Sequence, residues 1–391
     1  MQRIEKIKDV VIVGAGLVGA SLAVALRDTS LRLAMVESRP PAPAAGWDAR
    51  IYAISPASRA FLDAIGVWPM LSAERMEPVR RMAVSGDDAG RLAFSAYESG
   101  VPELAWIVEG GAIARALWAR MAGQSNLEVI CPAASVQFEV RDAAARLVLD
   151  TGRDIDARLV VGADGAQSFV RQQVMQPADV VPYGQSGVVA NFLCERPHRG
   201  TAYQWFRNDG VLAWLPLPGQ RMSIVWSTPD AHAQELLAMS PEQLCGRVAA
   251  AGLHTLGGLE CITAPAAFPL TKLTARRLVA PRTALIGDAA HVVHPLAGQG
   301  VNLGFADAAA LAGVIQSAHV GADPGDLALL RRFERARAED IWAMRVATDG
   351  LARLFRAGAP GLRRLRNLGM NSVDRLPVLK TLLVAHALGS R

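Results

Sequence analysis

Apolar positions follow different rhythms along this chain, and the changes of rhythm mark its parts. Val10-Val11-Ile12-Val13 is an unbroken apolar run. It is too short for a helix, and nothing alternates within it, so Asp9 to Val13 reads as a parallel strand buried on both faces. A glycine-rich turn follows, then an apolar stretch that predicts a helix from Leu17 to Arg27, then a second strand from Leu31 to Glu37. Strand, helix, strand in that order is the βαβ unit of a dinucleotide fold. Pro40-Pro41-Ala42-Pro43-Ala44-Ala45-Gly46 reads as a loop. Ser55-Pro56 starts a helix toward Leu62, as cap and first turn.

Residues 78–100 and roughly 176–270 change to short alternating strands. Arg81 to Ser85 and Arg221 to Trp226 are the clearest. Gly86-Asp87-Asp88, Asn208-Asp209-Gly210 and Pro218-Gly219 punctuate them as turns. From Arg282 the order returns to strand, glycine-rich loop and helix, and residues 327–391 read as mainly helical. The expected organisation is a discontinuous α/β domain (1–75, 101–175 and 271–340), a β-rich domain (76–100 and 176–270) and a C-terminal helical region (341–391).

Composition narrows the class. Hydrophobic residues make up 51% and charged residues 20%, which excludes a disordered chain. The net charge of +5 is mild, and no basic run interleaved with aromatics precedes the C-terminal tail, so nucleic acid is not an expected partner. Cys131, Cys194, Cys245 and Cys261 show neither CxxC nor zinc spacing and read as reduced thiols. No metal site is expected. The uncharged stretch from Val10 to Leu26 follows basic residues and so has the look of a signal peptide. Its three spaced glycines and the strand after it fit a βαβ start better. A cytoplasmic location follows as the expectation.

Three motifs carry candidate chemistry. Gly14-x-Gly16-x-x-Gly19 suits a tight turn, a close backbone approach to a pyrophosphate, and close packing of helix on strand. Glu37, 18 residues past Gly19, is placed to accept from ribose hydroxyls. Alone this unit does not separate FAD from NAD. The second motif is Leu159 to Gly165, a strand running into Asp164 between glycines, followed by Ser168 and Arg171. In isolation Asp-Gly is an ordinary turn. The third runs from Thr283 through Gly287-Asp288 to His291, then His294-Pro295 and a glycine-rich loop to Gly304. Asp288 is placed to reach a sugar or ribityl hydroxyl. Backbone N–H groups at Gly298 to Gly300 open a helix, where negative charge is favoured.

In this order and spacing the motifs resemble the flavoprotein monooxygenases of the para-hydroxybenzoate hydroxylase fold, and most closely the ubiquinone-biosynthesis aromatic hydroxylases. Asp48-Ala49-Arg50-Ile51-Tyr52-Ala53-Ile54-Ser55 and Pro295-Leu296-Ala297-Gly298-Gln299-Gly300-Val301-Asn302-Leu303-Gly304 carry that closer resemblance. It covers nearly the whole chain and implies a Rossmann-like FAD-binding domain interleaved with a β-rich substrate domain, with a helical C-terminal region. It assigns Gly14, Gly16, Gly19 and Glu37 to the ADP half of FAD. Arg50 would lie along the flavin or its phosphates. Asp164 would serve FAD and the pyridine nucleotide, and Asp288 the ribityl or pyrophosphate region. Pro295 and Gly298, Gln299, Gly300, Val301 and Asn302 would line the isoalloxazine. Gly110 follows Glu109 where the family usually has Asn, which weakens the assignment of Glu109 and Arg115 as cofactor neighbours.

The implied reaction is hydroxylation of a polyprenylated phenol in ubiquinone biosynthesis. FAD would be reduced by NAD(P)H and react with O2 to a C4a-hydroperoxide that transfers one oxygen atom. No catalytic triad stands out, so the flavin carries the chemistry. His291 and His294, with Pro295, flank the flavin loop; either histidine relays a proton or caps the loop. With only four tyrosines, a tyrosine relay is not clearly encoded. Trp205, Phe206, Leu212, Trp214 and Leu215 line a substrate tunnel or form plain core. The tail from Leu351 to Arg391 holds seven arginines and one lysine among apolar residues. It suits peripheral contact with the inner face of a membrane, a partner in a quinone-biosynthesis complex, or a solvated helix. The competing functions are hydroxylation of another small aromatic compound, a flavin halogenase or prenyl reductase, and a non-catalytic flavoprotein subunit. No Trp-x-Trp-x-Ile-Pro halogenase motif is present.

Overall fold

A computed structural model describes residues 7–43, 46–86, 90–174, 178–293, 300–319 and 321–356. The Lys8–Val13 strand pairs in parallel with Leu33–Val36 on one side and Asp154–Gly162 on the other, at the centre of a mixed sheet. Leu127–Ile130 extends one side, and Thr283–Leu285 pairs with the far end of Asp154–Gly162. Val10, Val11 and Ile12 are wholly buried, as a strand covered on both faces requires. The first helix is Leu17–Ala25, and helices Gly110–Met121 and Gly300–Gln316 pack beside it. The helix ends short of Arg27 because Leu26 leaves helical geometry and closes the last turn.

The second sheet has nine strands among the described residues and is antiparallel except where Thr201–Arg207 meets Arg81–Ser85. Its long central strand, Asp179–Cys194, alternates between two covered faces. Val188, Ala190 and Phe192 pack with Trp214 and Trp226 against helices Asp230–Ala238 and Pro241–Ala251. Those helices lie within the stretch expected to be β-rich. Ser240 and Gln243 cap the second one reciprocally, with Pro241 at its first position.

The opposite face of this sheet carries Val189 and Asn191 and looks toward the first domain, since Asn191 Nδ2 donates to Asp48 O at 2.9 Å. A small sheet of Ile51–Ile54, Ala105–Glu109 and Glu77–Val79 fills the junction. Ile51, Val79 and Ile107 pack there against Leu217. The Ala266–Thr274 strand carries the second sheet past residue 271 and ends beside the two-residue strand His291–Val292. The glycine-rich third motif therefore touches both sheets.

The last described element is the Leu327–Arg356 helix, and the rest of the basic tail, 357–391, lies outside the described residues. Among the described residues no helix is long and apolar enough to cross a membrane.

Candidate functional site

The three glycines of the first motif meet three different surroundings. Gly14 has φ +100°, and a Cβ there would stand 2.4 Å from Ala163 O. A Cβ at Gly19 would stand 2.0 Å from Gly14 O. Around Gly16 a Cβ would meet nothing within 4 Å. Two of the glycines are thus compelled by packing, whereas the third faces open space at the start of a helix, which is where an anion binds. Glu37 directly follows the second strand, beside this turn. Its Oε2 accepts from Ala15 N at 2.7 Å, and its Oε1 accepts from Ser38 N at 2.7 Å.

Asp164 stands across the same turn from Gly14. Its Oδ2 accepts from Val170 N at 3.2 Å, while Oδ1 is buried with no partner. A buried carboxylate oxygen without a donor is costly and calls for a ligand group. Arg171, 5% exposed, donates to Ala166 O at 2.6 Å and to Ala289 O at 2.8 Å. It therefore ties the Asp164 turn to the Gly287–Ala289 turn.

Gly287 has φ +60°, which turns the chain so that Asp288 faces solvent. Asp288 is nonetheless hemmed in by protein atoms, and so it stands in a recess. That crowding pushes its carboxyl above the usual range, with the charges of His291 and Arg50 opposing. Beneath it, Asp307 is 1% exposed. Asp307 Oδ2 accepts from Gly287 N at 3.0 Å and from His291 Nε2 at 2.6 Å, and Oδ1 accepts from Arg337 Nε at 2.8 Å. A carboxylate only accepts, so Nε2 carries the ring proton. Burial pushes the Asp307 carboxyl up. His291 and Arg337 more than reverse that, and its pKa falls below the ordinary value.

Arg50 is exposed at the head of the Ile51–Ile54 strand. The turn before it is held by Asp48, whose Oδ1 accepts from Arg50 N at 2.9 Å and Oδ2 from Gly111 N at 2.8 Å. Glu109 is 2% exposed and accepts from Asp48 N at 2.6 Å while pairing with Arg75 at 2.7 Å. Arg75 in turn lies over Trp47, 4.0 Å from the ring centroid. Glu109 thus fixes the Arg50 turn from behind. Arg115 sits beside Gly111 and donates to Ala42 O at 3.5 Å. Asn302 Oδ1 accepts from Ser55 N at 3.0 Å, and its Nδ2 donates to Ala53 O at 2.8 Å. The side chain clamps the Ile51–Ile54 strand to the helix that opens at Gly300, with Val301 half-buried beside it.

The structure therefore brings Gly14, Gly16, Gly19, Glu37 and Asp164 to one turn. Arg50 and Asp288 meet in one recess, and His291 lies under it. His294, Pro295, Gly298 and Gln299 lie outside the described residues. Tyr52, Asp307 and Arg337 also shape the recess and were not singled out as site residues from sequence. Asp307 was visible inside its helix, but the other two have no local signal. Of the tunnel candidates, Trp205, Leu212 and Trp214 belong to the core under the helices, whereas Leu215 packs at the junction and Phe206 against Val84. The open face at Gly16, the orphaned oxygen of Asp164 and the recessed carboxyl of Asp288 together fit an extended ligand with a pyrophosphate and hydroxyl donors, which FAD supplies.

Comparison with known proteins agrees with this geometry. A family model described as an FAD binding domain matches residues 8–348. The chain is 35% identical over 385 residues to the 3-demethoxyubiquinol 3-hydroxylase of Escherichia coli (strain K12), covering 97% of this chain and 98% of that one. It is 35% identical over 389 residues to the ubiquinone hydroxylase UbiL of Rhodospirillum rubrum, covering 99% and 90%. Among solved structures, p-nitrophenol 4-monooxygenase PnpA from Pseudomonas putida DLL-E4 has a TM-score of 0.81 at 18% identity, covering 99% of this chain and 100% of that one. That last likeness concerns the fold.

Proposed function

The chain belongs to the FAD-binding-domain family and, within it, groups with the ubiquinone-biosynthesis hydroxylases, and from this premise we propose that it is an FAD-dependent monooxygenase that hydroxylates a prenylated phenol on the route to ubiquinone. The observation that carries the reading is the open helix start at Gly16 beside the unpartnered Asp164 oxygen, with Arg50 two residues from Asp48, whose carbonyl is bonded by Asn191 of the second sheet. FAD, once reduced by NAD(P)H, supplies the activation of O2.

The chain's own residues bind and orient. Gly16 and the helix start behind it receive the pyrophosphate, with Glu37 taking ribose hydroxyls. Asp288 and the free oxygen of Asp164 accept from hydroxyl donors. Val301 and Asn302, at the start of the Gly300–Gln316 helix, form the approach to the ring system. His291 fixes the turn that aims Asp288, held by the hydrogen bond that its Nε2–H donates to Asp307 Oδ2. Val189, Val225 and Ala213 are register partners on adjacent strands, on the face that carries Asn191. Val225, Ala213 and Leu215 stay partly accessible, which leaves an apolar wall of low profile for an aromatic ring and keeps water from it. The basic tail serves peripheral membrane contact, where a prenylated substrate resides.

The deciding experiment loads the purified protein with FAD and supplies NADH or NADPH, 18O2 and prenylated phenols of the ubiquinone series. The expected product is heavier by one 18O atom, with reductant consumed in step. Turnover of short phenols only would assign a different aromatic substrate. Reductant oxidation without any oxygenated product, together with complementation of a ubiquinone-deficient strain by Asp288→Ala, would overturn the hydroxylase reading in favour of a non-catalytic subunit. Sedimentation with anionic vesicles, compared with a variant truncated after Arg356, tests the tail.

A further inference from the structure

Tyr52 lies close to Arg50 and Asp288. Along its strand, Ile51 and Ala53 pack into the junction with the second sheet, whereas Tyr52 and Ile54 pack toward the first domain. The period of two in a strand therefore aims the Tyr52 ring at the dinucleotide side. Its register partner on the neighbouring strand is Val108, which places the ring over the start of the Gly110–Met121 helix.

Gly110 makes room for it. A Cβ at Gly110 would lie 2.8 Å from Tyr52 Cε2 and 3.3 Å from Cδ2. The backbone there cannot withdraw, because Gly110 N donates to Arg50 O at 2.8 Å. Any side chain at position 110 therefore displaces the tyrosine ring. This accounts for the point at which the sequence departs from the pattern it resembles, since the space an Asn side chain would enter is taken by the ring of Tyr52.

The hydroxyl end lies in the field of the site itself. Burial pushes the phenol pKa above its ordinary value, Arg50 opposes this, and Asp288 and Asp48 add to it. Tyr52 is therefore a neutral phenol at working pH, able to donate a hydrogen bond. Its ring is partly accessible, and two of the site's charged residues lie close to it.

We propose that Tyr52, admitted by the bare backbone of Gly110, is the wall against which the flavin ring system rests. The proposal builds on the FAD reading above and goes beyond it, by naming the residue that touches the ring. A phenol in contact with a flavin quenches its fluorescence, whereas a phenylalanine in the same place does not.

The test uses the full chain reconstituted with FAD. Titration gives the affinity, and emission per mole of bound flavin reports ring contact. Tyr52→Phe is expected to bind FAD within about tenfold of the wild-type affinity, since one hydrogen bond is removed, while bound-flavin emission rises several-fold. Gly110→Asn is expected to weaken FAD binding and raise emission, and Tyr52→Ala combined with Gly110→Asn to bind FAD more tightly than Gly110→Asn alone. A purely structural tyrosine would shift Tm and leave emission unchanged. Emission of the Tyr52→Phe protein as weak as wild type overturns the proposal, even if Gly110→Asn does not fold. An equal effect of Gly110→Asn beside Tyr52 and beside Ala at 52 also overturns it. Failure of the wild-type chain to take up FAD would instead sink the cofactor reading.

Discussion

Replacing Asp307 with Asn keeps the shape of the side chain and removes its charge. The carboxylate accepts three hydrogen bonds, from Gly287 N, His291 Nε2 and Arg337 Nε, at 3.0, 2.6 and 2.8 Å. An amide oxygen can serve some of these donors, but its NH2 group faces another. Arg337 is 4% exposed and would lose the partner on its Nε side, keeping Asp340 at 2.6 Å on Nη1. Removing one member of a buried pair costs about 3–5 kcal/mol, and the remaining Asp340 contact argues for the lower end, about 3 kcal/mol, or a fall in Tm of roughly 4 °C in a chain of this length. Scanning fluorimetry of the FAD-free protein measures this. Arg337→Met added to Asp307→Asn should return part of the loss, because an apolar isostere needs no counter-charge. The pH dependence has a defined sign. The folded pKa of Asp307 is depressed, so its contribution is complete above the ordinary value of 3.8 and is lost as pH falls through the lower folded value. The Asn variant should lack that acid limb. A Tm shift of Asp307→Asn under about 2 °C, or no recovery in the double variant, would refute the reasoning.

Gly16 and Gly19 of the first motif should separate. Gly16→Val meets open space, so the FAD-free Tm should hold while FAD affinity falls about a hundredfold or more. Gly19→Ala places a Cβ 2.0 Å from Gly14 O and should also destabilise the FAD-free protein, by about 1–3 kcal/mol, lowering its Tm; equal FAD-free Tm values for the two variants would contradict this division. Arg171→Met leaves Ala289 O and Ala166 O without their side-chain donor and should destabilise the FAD-free protein by about 1–3 kcal/mol, read in urea titrations. Arg153 and Lys8 hold the Glu128 carboxyl down at about 2, below its ordinary 4.5, so their contribution is lost as pH falls across that interval. With Glu128 38% exposed, Glu128→Gln should cost about 1 kcal/mol or less at pH 7 and nothing below pH 2.

What could be read from the residues alone follows from how local each requirement is. Gly14, Gly16 and Gly19 answer to one turn and one helix start, so their spacing carries the message. The same holds for Glu37 at the end of the next strand. Asn302 differs, because its side chain serves Ala53 O, 249 residues away, and nothing near position 302 announces that strand. Arg337 reaches Asp307 from another helix, and Tyr52 depends on a missing side chain at Gly110. The helix at Pro241–Ala251 was legible in principle, through Ser240-Pro241-Glu242-Gln243, but strand-like neighbours outweighed it.

The second sheet hides its working face for a related reason. Both faces are covered, one by helices and the other by the first domain, so hydrophobic alternation shows that faces exist without showing which one meets a ligand. Large aromatics draw attention, yet Trp205 and Trp214 went to the helix-covered core. The face that carries Asn191, whose side chain bonds Asp48 O, also carries Val189, Ala213 and Val225, register partners of small size. Space has no residue signature. The cofactor half of such a site is written in glycines and acids that must be present, whereas the substrate half is written in bulk that must be absent. Enlarging Ala213 to Phe should therefore leave FAD affinity unchanged and raise KM for the aromatic substrate, and a lost FAD affinity with unchanged KM would place the ring elsewhere.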